Sequence, residues 1–131
     1  MIERSKKFTI GKKSFVIEFP NVGQIIDIES MKQALTNNKY GIMAQSNVRS
    51  MYQALDIVDA VSFLSIVAPE VAKYYNVGNY MALSPEKVKE FVDAYQKDIA
   101  PWYLKTLEEL QNPLDNGETD SEGTSESKGW N

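Results

Sequence analysis

Asp56 and Asp59 stand three residues apart inside an apolar run, with Tyr52 one turn earlier, and this is the one place in the chain where acidic side chains and a hydroxyl are spaced for chemistry. Two carboxylates on one helical face can share a proton or a metal ion. A divalent cation needs more oxygen or nitrogen ligands than that, and with no histidine or cysteine the chain has no second ligand set at a clear spacing. The pair reads as the polar stripe of an otherwise apolar helix. Ser46, Ser50, Ser62 and Ser65 offer hydroxyls, but a serine nucleophile needs a general base, and no Ser-x-x-Lys or Gly-x-Ser-x-Gly pattern is present. Val22-Gly23-Gln24 before a helix is too poor in glycine to cradle a phosphate. The expectation is a non-enzyme with no catalytic residues, no cofactor and no metal.

What remains is adhesive surface. Methionine and tyrosine recur through the middle of the chain, and soft thioethers and amphipathic rings suit contacts with varied apolar partners. Tyr74, Tyr75, Tyr80, Met81, Met43 and Trp102 are the candidate partner-binding residues, with the 74–83 loop, punctuated by Asn76, Gly78 and Asn79, the expected exposed stretch. A small helical domain also needs such residues in its core.

Charge is distributed unevenly. Residues 1–13 carry Arg4, Lys6, Lys7, Lys12 and Lys13 against Glu3, while 112–131 carry five acidic side chains against Lys128, within a total of −4. Five cations on a small hairpin form a solvated face, and the acidic body repels phosphate, so nucleic acid is an unlikely partner. With no cysteine there is no disulfide, and redox compartment is undecided. The opening Met-Ile-Glu-Arg-Ser-Lys-Lys has no apolar stretch behind it, and no run reaches about 18 apolar residues. A cytosolic protein without a membrane-spanning helix is expected.

The elements that hold these residues follow from period and punctuation. Phe8 and Ile10, then Phe15, Ile17 and Phe19, alternate with polar neighbours around Gly11-Lys12, which predicts a hairpin with one aromatic face. Asn21 caps the following helix and Gln24 completes a capping box, with Val22, Ile25, Ile26, Ile28, Met31 and Leu35 as its apolar stripe and Asp27, Glu29 and Lys32 in solvent. That helix ends near Thr36. A connector over 39–46 leads to a central helix opened by Ser46 or Asn47, running through Val48, Met51, Tyr52, Leu55 and Val58 to Ile66. Pro69 kinks it or starts a new turn, which Asn76 and Gly78 stop. Ser84-Pro85-Glu86 opens the last long helix, with a kink expected near 97–102 because of Pro101.

The predicted class is α+β, mainly α: an N-terminal two-stranded β-hairpin packed on a bundle of three to four helices, residues 1–111 as one domain. The 112–131 segment is expected to be a disordered acidic tail, since Leu114 and Trp130 are its only large apolar residues.

The run Phe-Thr-Ile-Gly-Lys-Lys-Ser-Phe-Val-Ile-Glu-Phe followed by Gly-Gln-Ile-Ile-Asp-Ile-Glu-Ser-Met-Lys resembles the tail assembly chaperones of long-tailed bacteriophages, over about residues 6–75. The resemblance lies in the order and texture of elements. It implies a chaperone in the host cell cytoplasm, able to form a homo-oligomer, that coats the apolar helical tape-measure protein and recruits tail-tube subunits. One alternative is a virion structural or adaptor protein retained in the particle; another is a small nucleic-acid-binding regulatory module.

Overall fold

Alternation of apolar and polar residues at the N-terminus produces the hairpin the sequence predicts. In the computed structural model, which describes residues 3–111, strand β1 (Ser5–Ile10) pairs antiparallel with β2 (Lys13–Glu18). Phe8 lies opposite Phe15, and their rings stack at 5.4 Å. Phe8, Ile10, Phe15 and Ile17 are all buried, whereas Val16 on the other face is exposed. Gly11 turns the chain at φ +59°, and a Cβ there would lie 2.6 Å from the Tyr74 hydroxyl and 3.0 Å from Glu90 Oε2. Only glycine meets both demands, positive φ and close approach.

Pro20 ends the strand and Asn21 caps helix α1 (Val22–Leu35): its side chain accepts from the Gln24 N–H while Gln24 Oε1 accepts from the Asn21 N–H, each at 2.9 Å. The expected apolar stripe does not form a single buried face. Ile28 is fully buried, but Val22 and Ile26, spaced i,i+4, are exposed. Adjacent isoleucines at 25 and 26 lie about 100° apart around a helix, so one packed face cannot take both with Ile28. Left-handed Asn37 and Asn38 (φ 55° and 64°) then turn the chain into α2 (Tyr40–Ala44).

Helix α3 (Arg49–Val67) is the central element. By length and mean hydropathy alone it would pass as a membrane-crossing helix, although Gln53, Asp56 and Asp59 interrupt its apolar run; 33% of that stretch is buried inside the protein. Ala60, Ser62, Phe63 and Leu64 are fully enclosed. Ser46 does not cap α3 directly; Val48 holds the cap position and its N–H donates to Ser46 Oγ. Pro69 starts a new short helix, α4 (Glu70–Tyr74), and Asn76 stops it with φ 60°.

Ser84 and Pro85 open α5 (Pro85–Ala94) as the sequence predicts. The irregularity attributed to Pro101 falls at Tyr95–Ile99, where a π-helical turn bridges α5 and α6 (Ala100–Gln111). The Ala100 N–H reaches back five residues to the Tyr95 carbonyl, and Pro101, which has no N–H to donate, follows this wider turn at the start of α6.

The core joins both faces of this arrangement. Near its turn the hairpin packs Phe15 edge-on to Tyr74 at 5.9 Å, and at its exit Phe19 packs on Trp102 and Tyr103 at 5.5 and 5.6 Å. Phe63 lies between Tyr95 and Tyr103 at 5.6 and 4.8 Å. The hairpin segment thus contacts α4, α5, the π turn and α6. Residues 112–131, assigned from sequence to an acidic tail, lie outside the described residues.

Candidate functional site

Two of the six residues selected for partner contact are core residues. Tyr80 is buried, and its hydroxyl donates at 2.6 Å to the Ala68 carbonyl, which also accepts from the Val71 N–H, so the ring is tied to the end of α3. Trp102 is buried under Phe19, with its indole N–H donating to the Glu3 carbonyl at 2.8 Å. Tyr75 is half-buried and donates to Glu90 Oε1 at 3.0 Å. Tyr74 keeps an exposed edge, Met81 is exposed, and Met43 is half-buried on α2. These do not converge. Met81 follows Tyr80, which is bonded at the C-terminal end of α3, whereas Met43 lies on α2 beside the opposite half of that helix, which at 1.5 Å per residue is roughly 28 Å long.

A different apolar surface does form, at the N-terminal tip of α3 and the adjoining α2. Ile42 is 71% exposed, Val48 57%, Met51 40% and Tyr52 47%. Val48, Met51, Tyr52 and Leu55 follow at three- and four-residue steps, the spacing of one helix face, and only Leu55 is covered. The same periodicity that predicts a core helix therefore leaves residues 49–53, its first turn and a half, in solvent.

Next to the tip lies the only cluster of interacting charged side chains on α3 among the described residues. The Tyr40 hydroxyl donates to Asp59 Oδ1 at 2.6 Å, and Lys32 Nζ stands 3.9 Å from the same oxygen, 3.0 Å from Glu29 Oε2, and 5.3 Å from the centroid of the Tyr40 ring. Sequence reasoning placed Lys32 in solvent and put Tyr52 beside the aspartates; the structure turns Lys32 inward and supplies Tyr40 instead. Nothing in the connector's sequence marked Tyr40, because its partner lies 19 residues on. Burial, the largest influence, raises the Asp59 carboxyl above its ordinary range, against the Tyr40 hydrogen bond and the Lys32 charge, while Asp56 and Glu29 add to the rise. Tyr40 is raised by burial first and by its bond to Asp59 second. Tyr95, on the π turn, feels the same carboxylate and is also raised, chiefly by burial.

Asp56 and Asp59 do not extend to a metal centre: no group of three or more acidic, histidine or cysteine side chains able to hold an ion occurs among the described residues. Two buried hydroxyls, Ser62 Oγ and Tyr103 Oη, have no hydrogen-bond partner. The arrangement offers a greasy, polarizable tip beside a hydrogen-bonded anchor, which suits adhesion. No family model, curated protein or solved structure matches this chain.

Proposed function

We propose that this protein is a non-enzymatic assembly chaperone that covers an apolar helical segment of another protein, in the manner the resemblance implies for tape-measure and tail-tube partners in long-tailed bacteriophages. The observation that supports this reading is the exposed tip, where Ile42, Val48, Met51 and Tyr52 present methionine, aromatic and branched side chains at helical spacing. Such a face complements the apolar stripe of a second helix laid against it. Methionine adapts to partners of varied shape, and tyrosine contributes contact area at low entropic cost.

Co-expression with the products of the neighbouring genes, followed by pull-down, tests the reading. The unsubstituted protein retains the tape-measure protein, and Met51→Ser with Tyr52→Ser releases it. Retention unaffected by those substitutions, or no association at all, ends the proposal. Mass spectrometry of purified particles separates the chaperone from a resident adaptor, since a chaperone is missing from the finished particle and an adaptor is present in fixed stoichiometry.

A further inference from the structure

Leu55 is 8% exposed yet stands apart from the main hydrophobic core. It sits one turn before Asp59 on α3, so the two share a face. Tyr40, the first residue of α2, is bonded to Asp59, and the chain then returns through Ala44 to the start of α3 at Arg49. α2 therefore packs on α3, anchored at Asp59 one turn from Leu55.

α2 has little to hold it there. It is five residues long with no residue of its own fully buried. A helix of that length has no stability alone. The backbone hydrogen bonds of Met43, Gln45 and Ser46 are all local, to Lys39, Ile42 and Met43. Its joint to α1 is the left-handed pair Asn37-Asn38, a conformation asparagine adopts at small cost, and its joint to α3 is exposed at Gln45, Asn47 and Val48. The side-chain anchor is Tyr40 on Asp59, flanked by Lys32 and Glu29 from α1, Asp56 from α3 and Tyr95 from the π turn.

We propose that α2 is a strap, latched by the Tyr40–Asp59 hydrogen bond, which lifts from α3 and uncovers Leu55 beside Val48, Met51 and Tyr52. Lifting converts a partly covered tip into one continuous apolar face. The face already receives one helix, α2, and the occupant that replaces it is the apolar side of a partner helix. That last step rests on the assembly reading; the lifting belongs to the isolated chain and is tested without a partner.

The absence of cysteine from the sequence makes the test direct, because a single introduced thiol has no competitor. In Leu55→Cys, an alkylating reagent modifies the thiol through strap opening, and adding Tyr40→Phe speeds modification about fivefold, the loss of one net hydrogen bond. Leu64→Cys, in the main core, reacts more slowly and is indifferent to Tyr40→Phe. Equal rates for Leu55→Cys with and without the latch, or a Leu55→Cys rate no faster than that of Leu64→Cys, overturns the strap. Amide exchange at Met43, Gln45 and Ser46 provides the same comparison without a core substitution. Tyr40→Phe accelerates those amides about fivefold while amides of 60–66 hold their rates, and an unchanged α2 refutes the proposal.

Discussion

The two halves of α3 carry nearly the same apolar periodicity and meet opposite fates. From Ala60 to Leu64 the helix is buried, with α5 packed on it and Phe63 against aromatic rings from the π turn and α6, whereas from Arg49 to Gln53 it stands in solvent. A hydrophobic pattern specifies a face that can be buried; whether it is buried depends on how far the neighbouring elements extend. Here α1 ends at Leu35 and the chain turns away through two left-handed asparagines. The difference separates a packed end, which carries stability, from an end whose apolar side chains remain exposed.

Substitutions at the two ends should separate in the same way. Phe63→Ala removes a ring packed between Tyr95 and Tyr103 and should cost about 3–5 kcal/mol, read as a lower denaturation midpoint. A loss below about 1 kcal/mol would place the core elsewhere. Gly11→Ala, which presses a methyl on Tyr74 and forces an unfavourable φ, should cost about 1–3 kcal/mol and loosen the hairpin from α4 and α5. At the tip, Met51→Ser and Tyr52→Ser should each change stability by no more than about 0.5 kcal/mol while abolishing partner retention. If they unfold the protein, the tip is core after all.

Acidity provides a finer probe of the boundary between the halves. Because burial raises the Asp59 carboxyl in the folded protein, the folded state keeps a proton that the unfolded chain has already lost. Stability therefore falls as pH climbs from the ordinary carboxylate value, about 4, through the raised value, and levels off above it. Asp59→Asn should remove that slope, measured as the difference between the two proteins' denaturation curves across acidic pH. An identical pH dependence in both would mean that Asp59 is as well solvated as in the unfolded chain. Tyr103 behaves analogously at the other end of the scale: burial pushes it up to about 12, so stability is lost as pH rises from about 10 through that value.

Local chemistry was legible in the sequence, and long-range closure was not. Alternation gave the hairpin its inward Phe8, Ile10, Phe15 and Ile17, and the Asn21–Gln24 box and the Ser84-Pro85 start announced two helices, since each depends on residues at most a few positions apart. Tyr80 and Trp102, selected for partner contact, are buried, and their hydrogen-bond partners, Ala68 and Glu3, lie 12 and 99 residues away, beyond the reach of any local pattern. The apolar tip escaped notice for the complementary reason: Val48, Met51 and Tyr52 look like core residues until the length of their neighbours is known.

The bond from Trp102 to Glu3 also sets an order of events during synthesis. The hairpin is made before the helices it packs on, but a two-stranded ribbon alone is marginal in water, and the indole bonded to Glu3 is added 99 residues later. At about 5–20 residues per second the ribbon waits on the order of 5–20 s for that ring. During that interval its aromatic face is open to whatever lies near the ribosome.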